Sequence, residues 1–240
     1  MLVAAAVCPA PPLLVPEVAA GAAAELGDAR TACSDALAVL AASRPDLLVV
    51  VGAAQEGGGY DQGTPGSFAG FGVDLTVTLG PEPGGPPSGH ATGTTLPASL
   101  AVGGWLLGRA GWAVAPVAGV AVAEDLPSNG CGLLGADLGR SAERVAMLVL
   151  GDGSACRTLK APGYLDERAA GFDAAAARAL GAADAAALAA IDAGLAAELQ
   201  AAGRAPWQVL AGAAEGADLA GQLLYEDAPY GVGYFVAIWS

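Results

Sequence analysis

Apolar residues fall along this chain in short dense runs separated by polar, glycine-rich stretches. Leu2–Cys8 (LVAAAVC), Asp46–Gly52 (DLLVVVG), Val114–Val122 and Val145–Leu150 (VAMLVL) are nearly continuous apolar runs of strand length. That is the pattern of strands covered on both faces. Between them, leucines and alanines recur at helical spacing, as with Leu26, Ala29, Cys33, Leu37 and Leu40 inside Glu17–Ser43. Leu96–Arg109, Asn129–Arg144 and Trp207–Ala214 read as helices, and Tyr164–Gln200 as two helices broken near Gly181. Val73–Leu79, Gln222–Tyr225 and Gly233–Trp239 complete the set as strands, and a long Pro/Gly/Ser/Thr loop fills much of Ala53–Thr95. Strand, helix, strand in repetition predicts an α/β fold: a single domain over 1–240, with a central, mostly parallel or mixed sheet and helices on both faces.

Composition narrows the class. At 240 residues and 54% hydrophobic content the chain has ample material for a buried core and too much apolar surface for disorder. Ten Lys and Arg against 24 Asp and Glu give a net charge of −14. That field repels phosphate backbones and anionic bilayers, so a small molecule or another protein is the expected partner, rather than nucleic acid or membrane. No run reaches the roughly 18–20 apolar residues of a bilayer span. The first residues lack the basic start of a secretory signal. Cys8, Cys33, Cys131 and Cys156 are widely spaced with no Cys-x-x-Cys pair, which fits reduced thiols and a cytoplasmic setting. The abundance of glycine and alanine is compatible with a homo- or hetero-oligomer.

In an open α/β sheet, ligands bind beyond the carboxyl ends of the strands. There the sequence places Cys8–Pro12, Ala53–Tyr60, Glu124–Gly130 and, after VAMLVL, GDGSACR. The last offers Asp152 as base or metal ligand, Ser154 or Cys156 as nucleophile and Arg157 as an anion clamp, with Lys160 following. Asp152 and Ser154 equally suit the capping of a following helix, and Asp166 and Glu167 suit a first helical turn. The ligand-binding candidates are Gln55, Glu124, Asp125, Cys156, Glu226, Asp227 and Tyr230, the last three from the YEDAPYG link. Gly57–Gly59 is a weak phosphate-cradle motif, lacking both a Walker lysine and a Gly-x-Gly-x-x-Gly followed by a helix. His90 is the only histidine, so no two-histidine metal site forms within one chain.

Taken together, MLVAAAVCPAPPLLVPE, DLLVVVG, LVLGDGSACRTLKAPGYLDERAAGFD, APWQVLAGAA and LLYEDAPYGVGYFVA resemble the class III extradiol ring-cleaving dioxygenases, in their B-type polypeptide. More narrowly, they resemble an actinobacterial group similar to that polypeptide. The resemblance implies an Fe²⁺ held by two histidines and a glutamate, with a further histidine as acid–base catalyst. This sequence carries Ala10 at the first histidine position and Ala53, Ala54 and Gln55 around the second. It has Ala155 or Cys156 at the catalytic histidine and no acid in GRAPW, before the Trp207 helix. The expectation is a metal-free, catalytically degenerate relative that binds a small molecule or protein. The alternatives are an enzyme of replaced chemistry using Asp152, Ser154, Arg157 and Lys160, and a residual dioxygenase activity on an aromatic diol.

Overall fold

Val145–Leu150 is buried at every position, and alternate residues serve two different cores: Val145, Met147 and Val149 one, Ala146, Leu148 and Leu150 the other. That period of two is what places a strand between two layers. The computed structural model describes residues 1–82 and 94–240. In chain order the strands are β1 (Leu2–Cys8), β2 (Leu47–Ala54), β3 (Gly58–Asp61), β4 (Pro65–Ser67), β5 (Thr76–Thr78), β6 (Val117–Ala123), β7 (Val145–Leu150), β8 (Gly221–Asp227) and β9 (Tyr234–Trp239). The helices are α1 (Pro16–Ala19), α2 (Gly27–Ala42), α3 (Ala98–Ala110), α4 (Ser128–Leu138), α5 (Ala169–Gly181), α6 (Ala185–Ala189), α7 (Ala193–Glu198) and α8 (Arg204–Ala213).

Seven strands form one mixed sheet in the order β3-β6-β2-β7-β1-β9-β8. The central β6, β2, β7 and β1 are mutually parallel, while β3, β9 and β8 run antiparallel to their neighbours. Helices α2 and α3 cover one face, where Cys33, Leu37 and Leu100 meet Leu48, Val50 and Leu148. On the other face lie α4, α5, α6 and α8, where Trp207, Leu210 and Leu180 meet Val49, Met147 and Phe235. This is the α/β arrangement with helices on both faces that the hydrophobic pattern predicts. Among the described residues, no helix is long and apolar enough to cross a membrane.

Several boundaries differ from the sequence reading, each for a local reason. Glu17–Ser43 is not one helix: Ala20 adopts φ 48°, which stops α1, and a 3-10 segment, Ala20–Leu26, precedes α2. Tyr164–Gln200 holds three helices rather than two, because Asp184 and Asp192 each accept an N-terminal backbone N–H, from Ala187 and Leu195, and start new turns. Gly57–Gly59 is no phosphate cradle, since Gly58 and Gly59 pair with Ala121 and Val120 at the sheet edge. Val73–Leu79 contributes only β5, paired with β4 in a separate hairpin. Neither Asp152 nor Ser154 caps a helix, because α5 begins only at Ala169. Asp166 and Glu167 accordingly precede the first turn of α5.

The face opposite α2 is packed backbone to backbone. A Cβ on Gly135 of α4 would lie 1.9 Å from the Val209 carbonyl oxygen of α8. Gly135→Ala should therefore push the two helices apart, at a cost of about 1–3 kcal/mol or more. Urea denaturation reads this directly. Leu133→Ala, on the exposed side of the same helix, should shift stability by less than about 0.5 kcal/mol.

Candidate functional site

Beyond β7 the chain does not turn back into a helix but runs on as a loop stitched to its neighbours. The Gly151 N–H donates to the Cys8 carbonyl at 3.1 Å, and the Gly203 N–H donates to the Asp152 carbonyl at 2.8 Å. Gly153 donates to Gly233 at 2.7 Å, Gly233 to Ser154 at 2.9 Å, and Arg157 to Gly231 at 3.0 Å. These bonds continue the pleated pairing past the strand ends and hold the GDGSACR segment between the start of α8 and the start of β9.

Inside this loop the polar side chains divide. Ser154 is fully buried; its Oγ donates to the Leu199 carbonyl at 3.2 Å and accepts the Cys156 N–H at 3.0 Å. Asp173 of α5, also fully buried, accepts the Ser154 N–H at 2.7 Å and the Arg157 guanidinium at 2.9 Å. Burial pushes the Asp173 carboxyl above its usual pKa, against the pull of the Ser154 N–H and Arg157. The Cys156 thiol is buried against the Gly163 and Leu199 carbonyls, each at 3.5 Å. Lys160 is exposed. Of the four predicted catalytic residues, Ser154 and Arg157 thus hold the loop together, Lys160 stands apart in solvent, and Asp152 remains.

Asp152 is half-buried at the carboxyl end of β7. Among the described residues its carboxylate has one hydrogen-bond donor, the Ala10 N–H at 2.8 Å, and makes no ion pair. Desolvation pushes its pKa up to about 7, with the Ala10 N–H pulling the other way. Tyr234, at the start of β9 and 2% exposed, lies near enough that the Asp152 charge, after burial itself, raises the phenol's pKa. The Tyr230 hydroxyl is enclosed beside the Glu25 carboxylate, and burial, then the hydrogen bond to Glu25 and its charge, raise the pKa. Tyr225 is pushed up to about 12 by burial and then by Asp227 and Asp28. Tyr234 thus belongs to the α2-side core, with Tyr230 packed against that core, and the charge of Asp152 reaches it at the sheet end.

The other predicted ligand residues lie elsewhere. Glu226 and Asp227 are exposed on β8, and Gln55 is exposed after β2. Glu124 and Asp125, exposed after β6, line a cavity of about 750 Å³ with α7 and α8 on the opposite face. Sequence reasoning missed Tyr234 and Arg204. Tyr234 sits inside an apolar strand, and nothing in the sequence marks it except that β9 runs antiparallel and starts at this rim. Arg204 is an arginine in a largely alanine segment, and its burial at 4% exposure was the missing fact.

Among the described residues no group of three or more His, Cys, Asp or Glu is placed to hold a metal ion, and His90 lies outside them. Compared with known proteins, the chain matches no family model and no curated protein.

Because the folded Asp152 carboxyl titrates near 7 and an unfolded one near 3.8, the folded state holds the extra proton between those values. Its contribution to stability is thus present at low pH and lost as pH rises towards and through 7. Asp152→Asn, which keeps the neutral shape and the Ala10 bond, should flatten this slope and raise the melting temperature at pH 8. Thermal unfolding between pH 5 and 8.5 checks it. Asp173→Ala should cost about 3–5 kcal/mol, since it strips Arg157 and the Ser154 N–H of their buried partner.

Proposed function

We propose that the chain binds a small neutral molecule bearing hydroxyl or carbonyl groups at the Asp152–Tyr234–Tyr230 rim. On this reading it is a metal-free relative of the class III extradiol dioxygenases that its sequence resembles. The observation that carries the reading is the lone Asp152 carboxyl: enclosed at the strand ends, oriented by one backbone N–H and without a cation, it titrates near 7. A carboxyl of that kind donates as well as accepts hydrogen bonds at neutral pH. The Tyr230 hydroxyl, beside Glu25, is the second polar group offered to the same ligand.

The residues at the positions where the resemblance implies iron ligands do not fit a 2-His-1-carboxylate centre. Ala10 offers only its N–H, which is committed to Asp152. Gln55 is exposed. Cys156, near the position of the acid–base histidine, keeps its thiol against backbone carbonyls.

A second reading is an enzyme of replaced chemistry. What favours it is the same pKa, which suits a general acid or base at neutral pH. Its working groups would be Asp152 and Tyr234, since Ser154 and Arg157 are already bonded within the loop.

Catechol is a direct probe of both readings. Titrated into the protein, it should give saturable amide shifts at Ala10, Gly153 and Tyr234, weakened at least tenfold in Asp152→Ala and retained in Asp152→Asn. Binding without turnover supports the first reading, and turnover without iron supports the second. Purified protein carrying stoichiometric iron and cleaving the catechol ring would overturn the metal-free assignment, and the absence of saturable shifts would overturn the site.

A further inference from the structure

The cavity of about 750 Å³ opens on the opposite face from Asp152 and is bounded by the loop after β6, by α7 and by the start of α8. Its floor is made mostly of alanines, among them Ala196, Ala201 and Ala205. Two features make it more than a gap between helices.

The first is Arg204. Its side chain lines the cavity although only 4% of the residue is exposed. Its guanidinium makes no ion pair among the described residues. Nη1 donates to the Leu126 carbonyl at 2.6 Å, to Gln208 Oε1 at 3.2 Å and to Cys131 Sγ at 3.8 Å, and Nη2 donates to the Glu124 carbonyl. Every acceptor is neutral, and Nε makes no hydrogen bond among the described residues. A desolvated positive charge answered only by dipoles retains an uncompensated attraction for an anion, and a carboxylate on its open edge would form a charge-assisted bond. The second feature is the loop that supplies two of those carbonyls: its Glu124 and Asp125 also line the cavity, exposed and outside every ion pair among the described residues. They would repel a simple anion and attract a cation.

We propose that this cavity binds a small zwitterion, with its carboxylate on the Nε edge of Arg204 and its ammonium group on Glu124 and Asp125. The alanine floor takes the aliphatic stem between the two charged ends. This site is separate from the Asp152 rim, and neither depends on the other.

Three probes of equal length test it: 5-aminopentanoate, pentanoate and pentylamine, titrated into the full chain while backbone amides are followed by NMR. The zwitterion should give saturable shifts at residues 193–202 and bind at least tenfold more tightly than either single-charge probe. Glu124→Gln with Asp125→Asn changes only exposed side chains and should leave the fold intact while weakening 5-aminopentanoate at least tenfold. Arg204→Lys keeps a charge but not the guanidinium fork, and should weaken it similarly wherever the spectrum stays native. Pentanoate binding as well as 5-aminopentanoate, an unchanged affinity in the Glu124/Asp125 double variant, or no saturable shift with any probe would each overturn the proposal. The amides of Ala10 and Gly153 report the Asp152 rim in the same spectra, so failure of one site is distinguished from failure of the other.

Discussion

The buried carboxylate of Asp173 ties α5 to the loop after β7. It comes from α5, accepts the Ser154 N–H from the loop after β7, and pairs with Arg157 three residues further along that loop. Space for it exists only because residues 153 and 233 lack side chains: a Cβ on Gly153 would lie 2.7 Å from its Oδ1, and one on Gly233 2.4 Å from its Oδ2. Gly233 in turn exchanges backbone hydrogen bonds with Gly153 and Ser154. The loop that carries Asp152 is therefore held from behind by Asp173 and from the sides by the starts of β9 and α8. Asp152 needs no cation of its own to stay in place. That freedom leaves burial as the dominant influence on its pKa.

The sheet then separates two kinds of polar chemistry that the sequence places on one rim. On the α2 side are Asp152, which passes between its neutral and charged forms around neutral pH, and neutral tyrosines. On the α8 side are a fixed positive charge, Arg204, and two exposed carboxylates. The division follows from the pleat and from strand direction: β9 returns antiparallel and delivers Tyr234 to the α2 core, while the loop after β6 is drawn to α8 by carbonyl bonds to Arg204. Arg204 also sets the local balance at Cys131, whose thiol is raised by burial and partly restored by the guanidinium's charge.

The architecture was legible because its signals are periodic. Continuous apolar runs marked the covered strands, and leucine spacing marked α2 and α3. The site was legible only where chain position sufficed, as for Asp152 immediately after VAMLVL. GDGSACR looked like one constellation because its polar residues are adjacent in sequence. Asp152 and Ser154, two positions apart, are nevertheless divided by what each meets: Ala10 for the first, Leu199 and Cys156 for the second. Contacts between Asp173 and Ser154, or Arg204 and Glu124, join positions 19 and 80 residues apart, and no local pattern encodes them.

Charge economy sharpens the contrast between the two sites. With only ten basic residues against 24 acidic ones, most carboxylates must rely on solvent, and an enclosed one without a cation is driven toward its protonated form. Asp152 is that case. Asp166 is the opposite one: gripped by Arg168, it is lowered to about 2. Placing Arg204 in the interior with neutral acceptors alone is a costly use of a scarce cation if its task is only to tie down Glu124 and Leu126, because neutral donors satisfy carbonyls without a charge to desolvate. A ligand carboxylate on its open edge would offset that cost, and the two exposed acids lining the same cavity would select a ligand that brings its own positive charge.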